Sequence, residues 1–209
     1  MKVVVFGANG KVGSIVTDTL LLAGHEVRAF VHNDSTLHEH PNLEIFQGDI
    51  YDADQVHGAV TGTAAVISTL GSWGTPKKDI LTVGMRHIIP AMQLHNIDRI
   101  ISLTGAEARA YDDELSLGHR VNHLALGLFA GKVLQDGELH IQLLEDSECN
   151  WTVIRSPIMT GSGSSNSFQL SNKRPAVWDR INRTAVAKAM VSQLADTQFY
   201  KQAPFISKK

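Results

Sequence analysis

The chain has 209 residues, 43% hydrophobic and 19% charged, with a formal net charge of −2. That length suits one domain around one buried core, and the balanced charge leaves no electrostatic footprint for nucleic acid and no acidic tail. The single cysteine, Cys149, excludes an internal disulfide and fits a reducing compartment.

Val3, Val4, Val5 and Phe6 form a short β-branched run that predicts a buried parallel strand. As an apolar run it is too short for a secretory signal core. No window approaches the 18 or so apolar residues of a membrane span, so a cytoplasmic protein with no membrane partner is expected. Gly7, Gly10 and Gly13 follow at three-residue spacing, and a helix is predicted over 11–23 with Gly24 as its C-terminal stop. A strand, a glycine turn and a helix N-terminus together seat a pyrophosphate on backbone amides and the positive end of the helix dipole. Gly7 allows the turn, Gly10 the close phosphate approach and Gly13 the close helix–strand packing. The pattern is GxxGxxG, and Asn9, Lys11 and Val12 inside it are counted with the cofactor-binding residues.

Strands are predicted over 26–31, 43–47, 64–70, 99–103 and 152–155, and helices over 52–60, 79–96 and 184–194. This alternation predicts a doubly wound parallel sheet with ligands at the carboxyl edge. The whole chain reads as a single domain, 1–209, in which residues 156–180 and 197–209 form a small substrate-side lobe. The Gly/Ser/Asn-rich stretch 160–167 reads as a loop bordering the site. Residues 115–144 are apolar-rich and predict a helix flanking the fifth strand, although Gly127, Gly131 and Gly137 argue against one straight helix. Within it, Leu126, Leu128 and Phe129 are candidates for an acceptor pocket or a homodimer contact.

The second strand ends in His32-Asn33, with no acid at the tip to bind a ribose 2′-hydroxyl. Lys11 stands in the glycine loop, where an ammonium suits a 2′-phosphate. NADP(H) is therefore favoured and NAD(H) remains an alternative. Asp49 and Ile50, after the third strand, are candidates for the adenine: the carboxylate accepts from its amino group and the isoleucine packs on the ring. Asp49 as a turn cap is the competing reading. Thr69, Leu70 and Gly71 are placed beneath the ribose and nicotinamide.

These stretches resemble the atypical short-chain dehydrogenases of the NmrA-like, NAD(P)H-binding type, and within them the flavin reductase/biliverdin-IXβ reductase branch. The resemblance rests on GANGKVG at 7–13, GDI at 48–50, STLG at 68–71, ISLTGA at 101–106 and WTVIRSP at 151–157. It implies a Rossmann-like domain binding NADP(H) or NAD(H), with hydride transfer to flavins, quinones or related small-molecule acceptors in some members and redox sensing in others. It also implies Thr104 as the hydroxyl beside the nicotinamide, and Pro157 and Ile158 near it. Ile158 stands where the biliverdin-reducing branch has histidine, which argues against biliverdin itself. His32 stands where many members have arginine.

The Tyr-x-x-x-Lys acid/base pair of ordinary short-chain dehydrogenases is absent: Tyr51, Tyr111 and Tyr200 are followed four residues later by Gln55, Leu115 and Pro204. Flavin or quinone reduction needs no strong protein acid, because a cofactor supplies hydride and solvent a proton. A redox-sensing NADP(H)-binding protein and a nucleotide-sugar epimerase or dehydratase are the rival readings, the second disfavoured by the missing pair. No metal site is expected. His119 and His123 flank Arg120 where a zinc protease has glutamate, and His38 and His40 lie in a polar loop. Trp73 is a candidate for stacking on an acceptor, and Cys149 a packing residue.

Overall fold

The computed structural model describes residues 1–73, 75–111, 113, 117–161 and 167–209, the side chains of Leu117, His119 and Asn122 excepted. Leu115, the centre of the 160–167 loop and the His119 side chain therefore lie outside the described residues. The elements run β1 (Lys2–Phe6), α1 (Gly13–Leu22), β2 (Glu26–Val31), β3 (Leu43–Gln47), α2 (Ala53–Val60), β4 (Ala65–Ser68), α3 (Ile80–Leu94) and β5 (Arg99–Gly105). They continue with α4 (Leu117–Glu145), β6 (Asn150–Ser156), β7 (Ile158–Thr160), β8 (Gln169–Ser171), β9 (Arg180–Asn182), α5 (Arg183–Ser192) and β10 (Phe205–Ser207).

An eight-stranded sheet has the order β3-β2-β1-β4-β5-β6-β10-β8. Every pair is parallel except β10 with β8, so the predicted all-parallel sheet gains an antiparallel edge. A second small sheet pairs β7 with β9. These late strands are three residues long, too short to imprint a period on the sequence.

Alternate residues of β1 supply two cores, as expected of a strand buried on both faces. Val3 and Val5 join Val16 and Leu20 of α1 with Val186 and Met190 of α5. Val4 and Phe6 join Val56 of α2, Met85 and Ile88 of α3, and Ile141 and Leu144 of α4. The strand order reverses direction at β1, with β2 on one side and β4 on the other, which opens a crevice above the carboxyl ends of β1 and β4.

Three boundaries differ from the sequence reading in ways that matter for the site. α1 begins at Gly13, so Lys11 and Val12 belong to the turn. β4 ends at Ser68, which leaves Thr69 and Leu70 in the segment after it. The long segment after β5 is helical from Leu117 but breaks at Ala130, whose φ of −135° is non-helical. His123 Nε2 lies 2.7 Å from Glu138 Oε1. Fifteen residues of straight helix would separate them by roughly 22 Å, so the segment folds back on itself at the Gly127–Gly131 break.

Candidate cofactor and acceptor site

Gly7 closes β1 with a φ of +78°, a conformation that suits glycine. The Gly10 N–H donates to the Gly7 carbonyl and the Ser14 N–H to the Gly10 carbonyl, both at 2.9 Å, so the turn runs directly into α1. A β-carbon on Gly13 would stand 2.1 Å from the Gly7 carbonyl oxygen, and one on Gly10 would stand 3.0 Å from it. Val12, at the N-cap position, gives α1 no side-chain cap. Among the described residues, the Lys11 and Val12 amides donate to no acceptor. An uncapped helix start with free amides fits a pyrophosphate.

Asn9 braces this turn. Its Oδ1 accepts from the Thr36 N–H at 3.2 Å and its Nδ2 donates to the Asp34 carbonyl at 3.0 Å, tying the loop after β2 to the glycine turn. Lys11, His32 and Asn33 are exposed. Thr69 is a second brace: its hydroxyl lies 2.9 Å from the Phe6 carbonyl and 3.1 Å from that of Gly7, across the β1–β4 crevice.

Asp49 Oδ1 accepts from the Tyr51 N–H at 3.0 Å, so the residue caps the next turn. The Asp49 N–H in turn donates to Gln55 Oε1 at 2.8 Å. Ile50 is buried and packs with Leu70 against Gly84, where a β-carbon would stand 2.7 Å from Leu70 Cδ1. Gly71 is exposed with nothing near its α-carbon face.

Thr104 is buried near the end of β5, and its hydroxyl bonds to no described residue. Gly137 of α4 lies directly against it: a β-carbon there would stand 2.7 Å from Thr104 Oγ1 and 3.1 Å from Ala108 Cβ. The three tyrosines are engaged or turned elsewhere. Tyr51 donates to Asp79 at 2.6 Å; burial and that carboxylate push its hydroxyl well above its ordinary pKa. Tyr200 lies under the Arg99 guanidinium, 4.5 Å away, and Tyr111 is exposed.

Beside Gly137 runs a buried polar column that sequence reasoning missed. Asp136 accepts from Ser72 Oγ and from the first amides of α3, and His140 Nε2 lies 2.6 Å from Ser102 Oγ. Burial pushes the His140 imidazole down to about 4, with the Asp136 charge opposing in part. Helical spacing makes 136 and 137 each a neighbour of 140; the polar types in an apolar segment were the available signal.

At the next strand, Pro157 is buried and Ile158 is 52% exposed. Arg155 and Arg174 both donate to Asp113 Oδ2, and their guanidinium carbons lie 3.8 and 4.8 Å from the Phe205 ring centroid. Burial alone would raise the Asp113 pKa, but the two guanidiniums hold it below the ordinary carboxylate value. This cluster ties the chain beyond β5 to β10. Near the break in α4, Leu128, Phe129 and Lys78 line a recess of about 420 Å³, and Leu126 is half-buried. Trp73 is exposed and Cys149 buried.

A family profile described as NAD(P)H-binding matches residues 7–197. The 3 beta-hydroxysteroid dehydrogenase/Delta 5-->4-isomerase of Mycobacterium tuberculosis is 46% identical over 76 residues, 34% of this chain and 20% of that protein. The chain thus spans about a fifth of the length of that curated relative. Among solved structures, the oxidoreductase ylbE from Lactococcus lactis superposes with a TM-score of 0.83 at 14% identity, over 100% of this chain and 91% of that one. A short-chain dehydrogenase/reductase from Veillonella parvula, solved in complex with NADP, gives 0.74 at 18% identity over 99% and 94%. Among the described residues, no helix is long and apolar enough to cross a membrane.

Proposed function

This chain belongs to the NAD(P)H-binding family, and we propose that it is an oxidoreductase that passes hydride from NADPH to a flavin, a quinone or a similar conjugated acceptor. The observation that carries the reading is the surroundings of Thr104. Gly137 lies against its hydroxyl, and among the described residues no titratable side chain hydrogen-bonds to it. An alkoxide-forming carbonyl reduction needs an acid there, whereas a flavin or quinone delocalises the incoming charge and takes its proton from solvent.

When bound, the dinucleotide supplies the hydride, and the acceptor is reduced by two electrons with one further proton from water. The chain's own task is to hold and align. The amides of the glycine turn grip the diphosphate, with Asn9 and Thr69 keeping that turn rigid. Asp49 Oδ2, which accepts from no described residue, would take the adenine amino group. Lys11, His32 and Asn33 are the residues that favour a 2′-phosphate, and the NADP complex of the Veillonella relative supports that choice. Pro157 and Ile158 would border the nicotinamide, and Thr104 would orient the carboxamide or the acceptor by hydrogen bonding.

Oxidation of NADPH followed in the presence of FMN, menadione and small aldehydes tests this. Turnover with the flavin or quinone and none with the aldehydes is expected; turnover with aldehydes alone contradicts it. A second reading, an NADP(H)-occupancy sensor, rests on the same lack of an acid. It predicts equal affinity for the oxidised and reduced cofactor and no turnover with any acceptor.

A further inference from the structure

A recess of about 480 Å³ opens beyond β6, lined by Pro157, Trp178, Asp179, Arg180, Ser207 and Lys208. Its volume lies within the range of small-molecule pockets. Its composition is distinctive. Trp178 is 78% exposed, an unusual state for the largest apolar side chain. Arg180 and Lys208 are both exposed, and neither forms an ion pair with a described residue. The one lining acid, Asp179, accepts from the Ala176 N–H at 2.9 Å, which fixes the turn that carries Trp178.

The frame around these side chains is ordered by backbone pairing. Arg180 opens β9 opposite Ile158 of β7, and the Lys208 carbonyl accepts from Gln169 Nε2 at 3.4 Å. The recess also adjoins the hydride-transfer edge. Pro157 follows Ser156, which pairs with Gly105, the residue after Thr104. Neighbouring strands lie about 4.8 Å apart, so this wall stands one strand over from the Thr104 end of β5.

We propose that this recess is the acceptor subsite and that it selects planar conjugated acceptors carrying an anionic group. The ring stacks on Trp178, and the phosphate or carboxylate meets Arg180 and Lys208. The assignment rests on the hydride-transfer reading above. An indole face suits a conjugated ring, and a guanidinium gives an oxyanion two directed donors while the ammonium adds a point charge.

FMN and riboflavin share one ring system and differ by the phosphate, so they separate the two contributions. Binding of each is measured by quenching of flavin fluorescence with NADP+ present, for the wild type, Trp178→Ala and Arg180→Gln/Lys208→Gln. These positions are exposed, and NADPH affinity checks that each variant is folded. The wild type is expected to bind FMN about tenfold more tightly than riboflavin, with the advantage falling as salt rises. The double variant loses that advantage and keeps riboflavin affinity, whereas Trp178→Ala weakens both flavins. Equal affinity for the two flavins in the wild type, or FMN affinity unchanged in the double variant, overturns the subsite. Phosphate-dependent binding without NADPH turnover upholds the subsite and overturns the hydride-transfer reading instead, so the two failures are distinct.

Discussion

The Asp136 carboxylate accepts the Thr82 amide at 2.8 Å, so a side chain of α4 caps the N-terminus of α3. It also accepts from the Leu81 amide at 3.1 Å and from Ser72 Oγ. The residue at the N-cap position of α3, Asp79, makes no cap bond and instead receives the Tyr51 hydroxyl. Asp136→Ala leaves three buried donors without an acceptor and is expected to cost about 3 kcal/mol. Urea unfolding checks this: the midpoint falls with an unchanged slope, and Asp136→Asn, which keeps one acceptor, lies between.

The glycine turn is testable at single-atom resolution. Gly13→Ala places a methyl group 2.1 Å from a backbone carbonyl, which cannot move without opening the turn. Its NADPH affinity by calorimetry is expected to fall by about a hundredfold, roughly 2.7 kcal/mol. Gly131→Ala in α4 is the control, since nothing lies within 4 Å of its new methyl group. Wild-type affinity in Gly13→Ala would refute the seating of the diphosphate there.

Cofactor choice rests on the exposed Lys11 and His32. Lys11→Ala/His32→Ala is expected to weaken NADPH about tenfold and leave NADH unchanged, because only NADPH carries the additional phosphate. An unaltered NADPH-to-NADH ratio would transfer that role to other residues.

Much of the fold was legible because its strands announce themselves. Val3–Phe6, with glycines at 7, 10 and 13, can form little else, and five further parallel strands are read from similar apolar runs. The α2 start was legible through Asp52, whose carboxylate accepts from the Asp54 and Gln55 amides. What the chain concealed was tertiary. Nothing local in Gly137 says that Thr104 lies against it, and nothing in Asp136 says that it caps another helix. The glycines at 127 and 131 did signal a break, but only the His123–Glu138 contact reveals that the segment doubles back.

His140 makes stability depend on pH. In the fold its imidazole titrates at about 4, against an ordinary 6.5, so the unfolded chain binds this proton first. Stability therefore falls as pH drops through the window from 6.5 to 4, by on the order of 3 kcal/mol, and this group contributes no slope above it. Asp113, held below the ordinary carboxylate value of 3.8, adds its loss only at lower pH. Urea midpoints measured between pH 7 and 4.5 should decline in the wild type and stay flatter in His140→Gln. Equal slopes in the two proteins would refute a buried neutral imidazole.

Hydride transfer itself is tested most directly by a single turnover. Protein loaded with NADPH is mixed anaerobically with excess FMN, and the dihydronicotinamide absorbance is followed. One NADPH is expected to be consumed for each FMN reduced, and cofactor deuterated at the transferred position to react more slowly. NADPH that stays bound and unoxidised before FMN and menadione alike would contradict it.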